Sequence, residues 1–302
     1  MANGQYIGVN GVARKVVSPY VGVEGVARNV MAGYVGVDGV ARLFFAPESG
    51  NVVLEVEKIT ADTYANETTY TAEEFILLDI YPKTGGTVKV TYGGLTKTIT
   101  DTSGAEEPNA QQVFFGTFNG VTDSVATPSS GTLTIEGDYY AFGCGFYAVS
   151  NKVDYTCICV VNILDFGNVE IIPNNAFGSP LVDNPKRLTG EIIIPSTVKS
   201  IGDGAFLVTK ITSVTISNTV SVIGKVAFNG CSLLSTVKML GSVPPKLIGQ
   251  TDTDGTTSYT NFGVVGSEAF GLTEIIVPLG CGNAYKTATG WATYADYIVE
   301  AT

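Results

Sequence analysis

Hydrophobic and polar positions alternate in short runs bounded by turn residues, the pattern of strands lying on a half-buried surface. The predicted strands are Val52–Glu57, Phe75–Tyr81, Thr87–Tyr92, Thr96–Thr100 and Val113–Phe118, with Gly93-Gly94 joining two of them as a hairpin. Together they predict a β-sandwich over residues 47–130. Thr71-Ala-Glu-Glu74 has the form of a capping box and predicts a helical turn at that point.

Two periodic patterns flank this middle segment. Ile194-Pro-Ser-Thr-Val-Lys-Ser-Ile-Gly-Asp-Gly-Ala-Phe206 is answered 22 residues later by Ile216-Ser-Asn-Thr-Val-Ser-Val-Ile-Gly-Lys-Val-Ala-Phe228. Such a period predicts stacked units, each burying an apolar face against its neighbours. Ile192–Ile194 and Val214–Ile216 read as β-branched strands, Pro195 ends the first, and Gly202 and Gly224 read as tight or left-handed turns. Ala205-Phe206 and Ala227-Phe228 fill the space between coils. Val169 to Phe177 anticipates the pattern with an insertion, Ser179 to Pro185, and Gly266-Ser-Glu-Ala-Phe270 repeats it once more. Gly137 to Phe142 reads as a still earlier, imperfect unit. Ile275–Pro278 is a last strand, and Asn283–Ala288 with Trp291–Ile298 predicts a short helical cap on the open end. The repeat domain is expected to span residues 131–302.

The second pattern lies in residues 1–46, where Tyr6–Arg14, Tyr20–Arg28 and Tyr34–Arg42 recur every 14 residues. Each unit holds two apolar runs around Asn-Gly, Glu-Gly or Asp-Gly, so each predicts a β-hairpin. Three such hairpins must stack on each other, on the next domain or on another chain to be stable.

Composition adds direction. With 36 glycines among 302 residues and 15% charged residues, the chain is expected to be mainly β and turn-rich. Its net charge of −11 argues against nucleic acid as a partner. Residues 1–46 carry +2, so the remainder carries −13, an asymmetry that suits either docking onto an acidic partner or solvated hairpin edges. No signal peptide is read at the N-terminus, and no apolar run predicts membrane insertion. Five cysteines show no metal spacing, and Cys157-Ile-Cys159 points both thiols to one side of a strand, so reduced, partly buried thiols are expected.

The repeated Ile-Pro, Val198, Ile201-Gly202 and Ala205-Phe206 pattern resembles the BspA-type leucine-rich repeat family. That resemblance implies a right-handed solenoid used for binding, and no enzyme. The middle segment reads as immunoglobulin-like from its strand spacing. The Tyr-Val-Gly-Val-Asp-Gly-Val-Ala-Arg unit resembles a segment of structural proteins of tailed bacteriophages and Gram-positive prophages. It implies a virion protein made in the host bacterial cytoplasm and attached to other virion proteins through the hairpins, with Tyr6, Arg14, Tyr20, Arg28, Tyr34 and Arg42 as attachment residues. The repeat domain would then face a host-envelope glycan or protein. Stacked hairpins suit a homo-oligomer, a trimer or ring. Two other readings share these features: a purely structural head-decoration or tail protein, and a bacterial cell-surface adhesin.

Candidate chemistry is sparse. Histidine is absent, which removes histidine-based nucleophilic catalysis and histidine metal sites. Asp138, Asp154, Asp165 and Glu170 are the carboxylates nearest aromatic residues, but nothing pairs them for glycoside hydrolysis. Asp252, Asp254 and Gly255 hold part of a calcium-loop pattern without its distal glutamate; an ordinary polar loop is the alternative. No catalytic residue, metal or cofactor is expected. Tyr139, Tyr140, Phe146 and Tyr147 lie between glycines and read two ways: exposed rings that bind a ligand, or buried rings that close the first end of the repeats.

Overall fold

The structure, a computed structural model, describes residues 6–9, 12–15, 20–23, 26–29, 33–37, 40–45, 50–66, 69–102, 110–118, 120–144, 146–147, 155–156, 159–178, 188–251, 257–265, 267 and 271–302. The chain is mainly β and divides into two compact units, Met1–Gly50 and Asn51–Thr302.

In the first unit each 14-residue repeat is one antiparallel pair. β1 (Tyr6–Val9) pairs β2 (Val12–Lys15), β3 (Tyr20–Val23) pairs β4 (Val26–Asn29), and β5 (Gly33–Val37) pairs β6 (Val40–Phe45). Val9↔Val12, Val23↔Val26 and Val37↔Val40 close the pairs, leaving the two-residue connections that Asn-Gly, Glu-Gly and Asp-Gly favour.

The second unit begins with two five-stranded sheets. Their strands are β7 (Val52–Glu57), β8 (Ile59–Asn66), β9 (Thr69–Pro82), β10 (Thr87–Tyr92), β11 (Leu95–Thr100), β12 (Gln111–Phe118), β13 (Val121–Thr122), β14 (Ser130–Gly137), β15 (Tyr139–Cys144) and, after the short pair β16 (Phe146–Tyr147) and β17 (Tyr155–Thr156), β18 (Val160–Phe166). One sheet has the order β11-β10-β14-β7-β18; the other runs β13-β12-β9-β15, with β8 also on β9. The inner positions Val52, Leu54, Val88, Val90, Leu133 and Ile135 are fully buried, as period-2 alternation requires. Tyr92 meets Phe115 of the other sheet at 5.7 Å between ring centroids. Lys97 of β11 reaches Asp123 beyond β13 at 2.6 Å and lies 3.9 Å over the Phe114 ring. Gly93 and Gly94 make the β10–β11 turn with φ of +57° and +82°, values that only glycine adopts freely.

The expected boundary at 130/131 falls inside these sheets, since β14, β15 and β18 are among their strands. Their partners, β7, β9 and β10, lie far upstream, and no local pattern encodes that pairing. The helical turn expected at Thr71–Glu74 is strand: the segment belongs to β9 and pairs with β8, Thr63↔Thr71 and Thr60↔Glu74. A long cross-strand ladder outweighs one capping interaction.

The remaining strands are β19 (Ile171–Ile172), β20 (Thr189–Ile194), β21 (Ser200–Ile201), β22 (Lys210–Ile216), β23 (Val222–Ile223), β24 (Thr236–Met239), β25 (Lys246–Leu247), the pair β26 (Gln250–Thr251) and β27 (Thr257–Ser258), β28 (Glu274–Val277) and β29 (Ile298–Glu300). They form two parallel ladders, β20-β22-β24-β28-β29 and β19-β21-β23-β25. A column of rings runs between the ladders: Phe177 on Phe206 at 5.4 Å, Phe206 on Phe228 at 5.0 Å, Phe228 on Phe262 at 5.5 Å, and Phe262 on Trp291 at 5.5 Å. Backbone rungs hold the rings in register, with the Phe177, Phe206 and Phe228 amides donating to the Ala205, Ala227 and Asn261 carbonyls.

One reading of this region narrows. Gly202 and Gly224 are not left-handed; a Cβ on either would come within 2.6 Å of Asn174 N or 2.4 Å of Asp203 N. They are glycine because successive coils touch there. The positive φ falls two residues later, at Gly204 (+61°) and at its counterparts Asn175 (+54°) and Val226 (+48°). The ring that follows Phe228 is Phe262; Phe270 lies outside the described residues. Asn261 makes this possible: its buried side-chain amide donates to the Ile223, Gly224 and Ile248 carbonyls.

Both ends of the ladders are closed. At the far end, α1 (Gly282–Thr287) and a 3-10 helix (Trp291–Tyr297) bury Tyr285, Trp291 and Tyr294, and the chain returns as β29 to add one more strand beyond the expected cap. Trp291 Nε1–H donates to Pro245 O at 2.7 Å, and Tyr285 Oη–H to Gly241 O at 2.8 Å. At the near end, β18 packs beside β20 and β15 beside β19. The Cys144 amide donates to Ala176 O, the Glu170 amide to Tyr140 O, and Phe142 meets Phe177 at 5.6 Å. The two antiparallel sheets thus continue into the two parallel ladders over one core.

Candidate binding face

The aromatic segment divides under this geometry. Tyr139 is 1% exposed, its hydroxyl accepts the Asn168 amide at 2.9 Å, and burial pushes its phenol above the ordinary value. Tyr139 is therefore enclosed in the core rather than presented on the surface. Tyr140 is half-buried. Phe146 and Tyr147 pair with Thr156 and Tyr155 through the backbone, and their side chains lie outside the described residues. Phe142, which ends the segment read as an early, imperfect unit, meets Phe177 at the start of the column.

The residues expected to attach keep a common register. Arg14, Arg28 and Arg42 stand opposite Ile7, Val21 and Val35, each the residue after Tyr6, Tyr20 or Tyr34. Their side chains lie outside the described residues, as do Asp252 and Asp254 of the expected calcium loop.

The carboxylates near aromatic residues have separate structural duties. Glu170 pairs with Lys83 at 2.7 Å, and Asp165 accepts the Gly167 amide at 2.8 Å. Asp154 lies outside the described residues. Among the described residues, no three His, Cys, Asp or Glu side chains gather to hold a metal ion, and no helix is long and apolar enough to cross a membrane.

What the repeats build is a surface. In the five-stranded parallel ladder the buried row Ile192, Val214, Val237, Ile275 and Ile298 alternates with two outward rows. One is Glu191, Ser213, Thr236 and Glu274, in which the Thr236 hydroxyl donates to Glu274 Oε1 at 3.3 Å. The other is Ile193, Thr215, Lys238, Ile276 and Val299, with Ile193 53% and Val299 44% exposed. One row carries hydroxyls between two glutamates, and the other has aliphatic groups at both ends with Thr215 and Lys238 between, so the face can hydrogen-bond, pair charges and bury apolar area together.

Residues 149–270 match the BspA type Leucine rich repeat region, in 6 copies. The match begins before β18 and ends at Phe270, so it covers the strands that build the outward rows up to β24. A repeat region of this type suggests a surface or adhesion-type protein. A search of curated proteins finds no match to the chain.

Proposed function

We propose that this chain is a non-enzymatic adhesion protein at the surface of a bacteriophage particle. Its N-terminal hairpin repeats hold it to other virion proteins, in a homo-oligomer. An immunoglobulin-like sandwich serves as the base of a leucine-rich repeat solenoid, which offers its parallel-strand face to a protein of the host envelope. The observation that carries the adhesion reading is the mixed polar and aliphatic face formed by Ile193, Thr215, Lys238, Ile276 and Val299. The phage reading rests on the resemblance of the 14-residue repeats.

The test separates the two ends. Deleting residues 1–46 is expected to abolish incorporation into particles while residues 51–302 keep their thermal transition. The face variant Ile193→Asp with Lys238→Glu is expected to incorporate normally and lose adsorption to cells. Normal adsorption by a face variant that retains its melting temperature would remove the adhesion reading and leave a purely structural one. Incorporation that survives the deletion would remove the attachment reading.

A further inference from the structure

β15 and β18 belong to opposite sheets, and a cysteine sits at the end of one and the start of the other. Cys144 closes β15, where it pairs across the ladder with Leu78. Cys159 immediately precedes β18, and its thiol donates to Leu77 O at 3.5 Å. The two therefore approach neighbouring residues of β9 from opposite sheets. Both are free thiols, 1% and 0% exposed. Burial and a hydrogen bond between the two thiols push Cys144 well above the ordinary thiol value. A buried cysteine alone is adequately explained as a small hydrophobe. Two set against neighbouring residues of one strand, from opposite sheets, are not. The other described cysteines bond elsewhere: Cys231 to Phe206 O and the Thr209 hydroxyl, Cys281 to Leu279 O.

We propose that Cys144 and Cys159 are an oxidisable pair that closes into an intrachain disulfide by exchange with a small-molecule disulfide, linking the two sheets where the repeats begin. One cysteine thiolate attacks a sulfur of the small disulfide, forming a mixed disulfide and expelling one small thiolate. The second cysteine thiolate then displaces the other small thiolate. The two cysteine protons end on the released thiols, and the protein loses two electrons. A thiol held protonated by burial exchanges slowly, so the reaction runs when local opening of the core exposes the pair. An oxidising space outside the cytoplasm supplies the small disulfide. The linkage closes 15 residues and restricts the unfolded chain, which is expected to raise the melting temperature by roughly 5–10 °C.

The experiment refolds the full chain from urea with reduced and oxidised glutathione, blocks free thiols after denaturation, and maps linked peptides by mass spectrometry. The expected result is a mass lower by about 2 Da and a single link between Cys144 and Cys159. Alkylated cysteines should fall from five to three, and the melting temperature should rise, returning to its former value on reduction. The Cys144→Ser and Cys159→Ser variants should each form no link and show no rise. Five alkylated cysteines in the refolded wild type, or a link through Cys157, Cys231 or Cys281, overturns the proposal without any variant having to fold. An oxidised chain no more stable than the reduced one overturns it as well.

Discussion

Replacing Phe206 with alanine probes the ring column at its centre. The side chain is fully buried, between Phe177 at 5.4 Å and Phe228 at 5.0 Å, the latter pair 3° from parallel. Phe→Ala in a core costs about 3–5 kcal/mol, and the cost is largest where the site cannot collapse. Here it cannot, because the backbone rungs from Phe177 and Phe228 to Ala205 and Asn261 hold both neighbouring rings in place. A loss of about 4–5 kcal/mol is therefore expected, near the upper end of that range. For a unit of this size it lowers the melting temperature by roughly 10–20 °C. The assay is urea and thermal unfolding of the full chain, followed by far-ultraviolet circular dichroism. A double-mutant cycle isolates the stacking. Phe206→Ala with Phe228→Ala should show a coupling of about 1 kcal/mol, whereas Phe206→Ala with a Trp291 variant should be additive within about 0.5 kcal/mol. A Phe206→Ala loss below about 1 kcal/mol, or no coupling to Phe228, would refute the column as a source of stability.

Three further outcomes follow from other contacts. Asp123→Ala removes the partner of Lys97 and the acceptor of the Gly116 amide, and should cost about 2 kcal/mol in urea unfolding, discounted from a fully buried pair because Lys97 keeps 25% side-chain exposure. Val226→Gly relieves a β-branched residue held at a φ of +48° and should stabilise the chain by about 1 kcal/mol, read as a higher urea midpoint. Burial raises the Tyr285 and Tyr294 phenols from 10.0 to about 12, so the unfolded chain releases these protons first. Stability from both is complete below pH 10 and lost as pH rises toward 12; Tyr285→Phe with Tyr294→Phe should flatten that decline in an alkaline melting series.

How far the sequence could be read depended on how local each signal was. The 22-residue pattern placed β20 beside β22 and Phe206 on Phe228 because equivalent residues of adjacent coils become neighbours. The strands of the hairpin units were legible because two-residue connections fix their own partners. The period could not show that β18 lies against both β7 and β20, since one partner is antiparallel and more than a hundred residues away. Phe262 was missed because Asn261, rather than the Gly-x-x-Ala-Phe spacing, carries its rung. The outward rows of the candidate face were implicit in the alternation of Ile192, Ile193 and Ile194, but which residues stand beside them depended on the parallel register.

The closure of the ladders at both ends separates their length from their stability. Each interior coil contributes one strand to each ladder, one ring to the column and one residue to each outward row, while the described contacts of the sheets fall on the first coils and those of the helical cap on the last. Adding or deleting a whole coil between β20 and β24 would move the cap by one strand spacing, about 4.8 Å, without uncovering apolar surface. The extent of the face is thus a quantity that duplication or loss of coils can alter in uniform steps, leaving the Met1–Gly50 unit and both seals as they are.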